Sequence, residues 1–206
     1  PQNFGGILTA NKKSYIMKKA ILLFVAVLGL SMTTNAQTTW KVDHAHSFLK
    51  FSIKHLGISF VDGKMDKYDG TVVLNNEDIT TAKFNFDIDV NSINTGIEAR
   101  DNHLKSPDFF ETSKYGKMTF VSTGVKKVTK NNYKLTGNLT IKDVTKQVTF
   151  DLVYGGKAAN DGFGNEKLGF QATTTIDRTA FNINYDPTGM GVAKDVSLTV
   201  NLEFSK

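Results

Sequence analysis

The 206-residue chain carries 25 basic and 20 acidic residues and contains no cysteine. The missing cysteines exclude a disulfide framework, thiol catalysis and thiolate metal sites. The positive balance is not a nucleic-acid footprint, because Lys12, Lys13, Lys18 and Lys19 lie in an acid-free leader; without them 21 basic residues face 20 acidic ones, interleaved along the chain.

Residues 1–16 precede a candidate initiator and are read as an upstream extension with no structural role. Met17 opens a charged Lys18-Lys19 region, an apolar run from Ala20 to Leu30 and a small-residue stretch ending in Ala36. That order describes a cleavable signal peptide over 17–36. The apolar run is shorter than the roughly 20 residues a spanning helix needs. The mature chain, 37–206, is the length of one domain and has no transmembrane segment.

Alternation at period two then dominates. Leu49, Phe51 and Ile53 share one face against Lys50, Ser52 and Lys54. Tyr68–Leu74 continues the pattern, and Phe84, Phe86, Ile88 and Val90 alternate with Lys83, Asn85, Asp87 and Asp89. Between Asn91 and Phe110 the alternation stops; a charged helical segment is expected near 96–106. Strands resume at Met118–Val125, Tyr133–Ile141, Val148–Tyr154, Leu168–Ile176 and Val196–Phe204, which brings the count to about eight. Short turns at Asn75-Asn76, Asn131-Asn132 and Gly155-Gly156 make the sheet antiparallel and meandering. With one apolar face per strand, the apolar faces must meet across an interior, in a closed barrel or in a competing β-sandwich. The outward faces are Lys, Asn, Asp and Thr, unlike a membrane barrel.

Catalytic patterns are weak. His44-Ala45-His46 is placed on the first strand with both rings on one face, and with His55 or His103 could form a three-histidine metal site of a metal-assisted hydrolase. No nucleophile elbow is present, and Asp87 and Asp89 face solvent. Arg100, His103 and Leu104 fall on one side of the expected helix, with Leu104 docking it and Asp101 pairing to Arg100 or Lys105. These residues form either a structural plug or a polar rim for a ligand head group. The phenylalanines on the apolar faces, mixed with Gly137, Ala172 and Thr174, make either a solid core or an apolar tunnel.

Several motifs resemble one family. They are Trp40-x-Val42-Asp43-x-x-His46-Ser47, Phe51-x-Ile53-x-His55-x-Gly57, and Gly63 with Gly70. Then come Ser92-Ile93-x-Thr95, Arg100-Asp101-x-His103-Leu104-x-Ser106-x-Asp108-Phe109-Phe110 and Met118-x-Phe120-x-Ser122. Gly137-x-Leu139-Thr140-Ile141, Val144-Thr145-Lys146-x-Val148 and Asp177-Arg178 complete the series. Together they resemble the YceI-like family in order across 38–204, with Gly116 and Phe181–Tyr185 departing from its pattern. The resemblance implies an all-β, lipocalin-like, extended antiparallel eight-stranded β-barrel, exported to the periplasm. Some members bind polyisoprenoid chains or other long amphiphiles.

The expected function is therefore a periplasmic carrier of an isoprenoid-like or long-chain amphiphilic lipid, not an enzyme, with no cofactor. The contrasting readings are the hydrolase and a ligand-free, stress-related structural protein; a homodimer is left open. The expected tunnel wall is Leu49, Phe51, Phe84, Phe86, Phe120, Leu139, Phe150 and Phe170. The expected mouth is His46, His55, Arg100, His103 and Arg178.

Overall fold

The computed structural model describes residues 37–206; the expected leader over 17–36 and the extension over 1–16 lie outside the described residues. Among the described residues the strands are β1 (Gln37–Val42), β2 (Phe48–His55), β3 (Ser59–Met65), β4 (Tyr68–Asn75), β5 (Asp78–Asp89) and β6 (Ile93–Asn94). After the helix α1 (Glu98–Lys105) come β7 (Lys117–Lys127), β8 (Asn132–Ile141), β9 (Val144–Ala158), β10 (Lys167–Asp177) and β11 (Val192–Ser205).

β1 and β2 form one long strand interrupted by a turn, and β3 and β4 form another, because Lys41 pairs with Thr71 and Leu49 with Met65. Counted so, eight antiparallel strands close on themselves, β11 pairing with both β1 and β2. The short β6 adds to the free edge of β3. The ladder is fully antiparallel and each strand neighbours the next in sequence, as the short turns require. This is the barrel expected from sequence, not the sandwich. β3 was not among the expected strands: Phe60 and Gly63 blur its alternation, and its Val61 and Met65 point inward while Asp62 and Lys64 are paired to Ser52 and Lys50.

The two barrel ends differ. Near the β1 end, Trp40, Val72, Leu74, Leu168 and Phe204 are each 2% exposed or less. The rings of Phe84, Phe170 and Phe204 meet edge to face at 5.3–6.2 Å, a close packing that leaves no space for a ligand. Lys167 binds Asp43 at 2.5 Å and Ser205 Oγ at 2.7 Å, tying β10 to the seam where β1 meets β11. At the other end the chain makes two excursions, 90–116 and 178–191. Both are anchored to the β8–β9 turn by Lys142, which donates to the carbonyls of Phe109 and Asn182 at 3.2 Å.

Candidate functional site

Between the filled end and the excursions lies an apolar cavity of about 390 Å³. That is within the span of roughly 300–1,000 Å³ typical of small-molecule sites. β2, β5, β7, β8 and β9 contribute Leu49, Phe51, Phe84, Phe86, Phe120, Leu139 and Phe150 to its wall. Seven of the eight residues expected in a tunnel wall thus border this cavity. Phe170 does not. Its ring is spent on Phe84, Tyr154 and Phe204 inside the filled end. Hence the interior is neither wholly solid nor wholly hollow, an arrangement that alternation alone cannot distinguish because both halves repeat at period two.

Glycines keep the cavity open. A Cβ at Gly63 would overlap the ring of Phe51, one at Gly70 the ring of Phe86, and one at Gly137 the ring of Phe120. Gly63 and Gly70 are the direct cross-strand partners of Phe51 and Phe86. Each ring therefore lies back against the wall over a residue with no side chain, instead of projecting across the lumen.

The mouth is built from α1, the β2–β3 turn and the loop before β11. The α1 helix lacks a side-chain N-cap bond at Ile97 and is held from outside. Asp101 accepts from the Thr95 N–H at 2.8 Å and from its hydroxyl at 2.6 Å. It does not pair with Arg100 or Lys105 as expected. Arg100 instead donates from Nε to Thr95 Oγ1 at 2.7 Å and from Nη2 to the Thr95 carbonyl at 2.9 Å. No carboxylate lies within ion-pairing distance of Arg100 among the described residues, and Arg100 is one of the residues lining the cavity. Leu104 packs on the core beside it, as expected.

The remaining mouth residues divide into free and committed groups. His55 lines the cavity, and its ring has no hydrogen-bond or ionic partner among the described residues. His103 also faces it, but its Nε2 meets Asp108 at 2.9 Å and its ring stacks edge-on to Phe109 and Tyr185, each at 5.1 Å. Arg178 touches the cavity yet is 3% exposed, and it donates to the carbonyls of Ala193, Ile183, Asp186 and Val192 at 2.7–2.9 Å. Burial lowers its pKa from the ordinary arginine value, against the opposing pull of Asp186 and Asp177. Arg178 is a clamp on the loop before β11, not a free head-group contact. That role shows only once the chain has doubled back.

His46 lies away from the cavity. Residues 43–46 form a turn between β1 and β2, so the expected strand placement of His44 and His46 is incorrect. The Asp43 side chain folds back onto the Ala45 N–H at 2.9 Å and His46 Nδ1 at 3.1 Å, which stabilises the turn over the strand. The two rings diverge, His44 toward Asp69 and Tyr68, His46 toward Asp43 and Glu203. Neither meets His55 or His103. Asp43, His46 and Glu203 could converge on a cation, but the Lys167 ammonium already sits 2.5 Å from Asp43 and 3.4 Å from Glu203.

Tyr185, Phe109 and Met118 were absent from the sequence-based site. Phe109 and Tyr185 stack at 4.7 Å and join the two excursions over the cavity. The Phe109-Phe110 pair was the available signal, while Tyr185 stands in a stretch with no periodicity.

Comparison with known proteins gives the same architecture. A UPF0312 protein of Staphylococcus aureus (strain USA300) is 41% identical over 172 residues, covering 82% of this chain and 98% of its own. The crystal structure of a Campylobacter jejuni YceI protein matches at TM-score 0.68 and 33% identity, covering 75% of this chain and 90% of that one. Burkholderia cenocepacia BcnA matches at TM-score 0.70 and 25% identity over 79% of this chain and 98% of its own. A polyisoprenoid binding domain from Saccharophagus degradans shares the fold at TM-score 0.60 and 17% identity, over 80% and 97% of the two chains. The YceI-like domain itself matches residues 40–204, and with this barrel and these relatives the chain belongs to the YceI-like family.

Proposed function

We propose that this protein is a periplasmic carrier that binds the tail of an isoprenoid-like or other long-chain amphiphile in the barrel and its anionic head at the mouth. One observation carries the reading: an apolar cavity, blind at the filled end, has at its mouth an arginine with no counter-ion, Arg100. A guanidinium in that position attracts a carboxylate or phosphate, and the apolar wall accepts what is attached to it. His55 adds a second uncommitted polar group at the same end. The Saccharophagus degradans neighbour is described as a polyisoprenoid binding domain, which is the ligand chemistry proposed here; its sequence likeness extends only to the fold. Export rests on the leader over 17–36.

The three-histidine site of the hydrolase alternative is not assembled, since His44 and His46 lie in the β1–β2 turn away from His55 and His103 at the cavity. Titration with a prenyl phosphate tests the proposal. Arg100→Ala should weaken binding by about 1.5–3 kcal/mol, the worth of a charge-assisted hydrogen bond, and should leave binding of the uncharged prenyl alcohol nearly unchanged. Equal affinity of wild type and variant for the phosphate would remove Arg100 from the head-group site.

A further inference from the structure

The cavity rim exposes more apolar surface than folding calls for. At the β2–β3 tip Leu56, Ile58 and Phe60 are 58%, 86% and 67% exposed, and Met190 on the loop before β11 is 80% exposed. The two tips touch, since the Leu56 N–H donates to the Gly191 carbonyl at 2.7 Å. Local structure does not ask for these side chains. The turn is closed by the Ile58 N–H on the His55 carbonyl, with Leu56 at φ 52° and Gly57 at φ 72°. The first of those left-handed positions favours Asn, Asp or Gly; the β4–β5 turn, at the far end, places Asn76 there at φ 48°. Leucine at this position is strained and gains no burial.

Within the two tips the charged side chains are lysines, Lys54 and Lys194, with the exposed Asp62 and Asp195 just beyond them on β3 and β11. No acidic residue occurs from Lys54 to Val61 or from Pro187 to Lys194. Lys54 lies 5.9 Å from the centre of the Phe60 ring, and the Lys194 side chain runs beside Gly189. Asp186, before the second tip, is turned onto the N–H groups of Gly191 and Val192 at 2.6 and 2.8 Å. The same segments supply His55, Val61 and Val192 to the cavity wall, so the patch is continuous with the mouth.

We infer that this rim is a docking surface for an anionic lipid bilayer, into which Leu56, Ile58, Phe60 and Met190 insert while Lys54 and Lys194 meet the head groups. Protruding apolar side chains beside lysines suit the bilayer interface, where the stem is buried and the ammonium remains hydrated. A second copy of the chain would need a complementary, closely packed face, which two projecting turn tips do not offer. Docking would place the cavity mouth against the membrane, so that a tail moves between bilayer and barrel without crossing water. That purpose rests on the carrier reading; the geometry of the rim does not.

The test uses vesicles of phosphatidylcholine alone and of phosphatidylcholine mixed with phosphatidylglycerol. The protein should co-sediment with the mixed vesicles, and Ile58→Trp should give a blue-shifted fluorescence only in their presence. Ile58→Asp combined with Met190→Asp should lower vesicle affinity about tenfold or more, since two apolar insertions are replaced by charges. The same variant should bind a short-chain, water-soluble amphiphile as well as wild type does. Absence of vesicle binding by wild type, or equal binding by the double variant, would overturn the inference. So would sedimentation velocity showing a wild-type dimer that the double variant dissolves, because the rim would then belong to a second copy. Vesicle docking without uptake of the soluble amphiphile would support the rim and sink the carrier reading alone.

Discussion

Arg100 and Arg178 both touch the cavity, yet their partners give them opposite roles. Arg100 spends two N–H groups on Thr95 and keeps the rest for the mouth. Arg178 is buried and holds two carbonyls of its own loop and two at the start of β11. Arg178→Ala would leave those acceptors buried without a donor, and should cost about 3 kcal/mol or more, each unsatisfied group contributing roughly 1–3 kcal/mol. Thermal melts should therefore separate the two variants: a large drop in Tm for Arg178→Ala, and little change for Arg100→Ala. A second consequence at this scale concerns acid stability. The Lys167 ammonium, with His46 and the Ala45 N–H, holds the Asp43 carboxyl down at about 2. A carboxyl depressed in the folded state stabilises the protein above its unfolded value of about 3.9. That stabilisation disappears as pH falls through the folded value. Tm should thus fall between about pH 4 and pH 2, and Asp43→Asn should flatten part of that fall. Only part is removed, because Asp161 is also lowered to about 2, by Asn165 and the Phe163 N–H.

Among the elements, β2 and β5 were legible because charged and aromatic residues alternate cleanly along them. The helix was legible as an interruption, expected near 96–106 and observed at Glu98–Lys105. What could not be read were features created by distant segments. Nothing adjacent to Phe170 distinguishes it from Phe150, yet one ring is packed among phenylalanines and the other lines the cavity. The turn at 43–46 imitates a strand in sequence, and its Asx-type hydrogen bonds override the alternation. Gly63 and Gly70 stood out as motif residues; that each seats an aromatic ring became visible only with the register. Gly70→Ala should push the Phe86 ring off its seat, and Phe86 borders the lumen. Affinity for a long-chain amphiphile should fall while the circular dichroism spectrum stays that of a barrel. Unchanged affinity would mean that the ring moves elsewhere and does not set the bore.

For the whole molecule, the division into a filled and a hollow half is the property from which function follows. The filled half supplies close packing that a protein without disulfides needs. It allows the other half to keep a cavity that a fully packed barrel could not contain. Paired substitutions should expose the difference. Phe170→Trp overpacks the filled half and should cost about 1–3 kcal/mol. Phe150→Trp enlarges a ring that borders open space, and should cost less stability while obstructing the ligand. Equal destabilisation at both sites would imply one continuous core.

The occupant of the cavity can be identified directly. Protein purified from its own cells should be extracted with organic solvent, and the extract analysed by mass spectrometry alongside that of a Gly70→Ala preparation. A long-chain amphiphile with an anionic head is expected from wild type at near one molecule per chain, and much less from the variant. Wild-type extracts free of lipid, together with no binding of prenyl phosphate or other long amphiphiles to the purified protein, would contradict the assignment of the barrel as a lipid container.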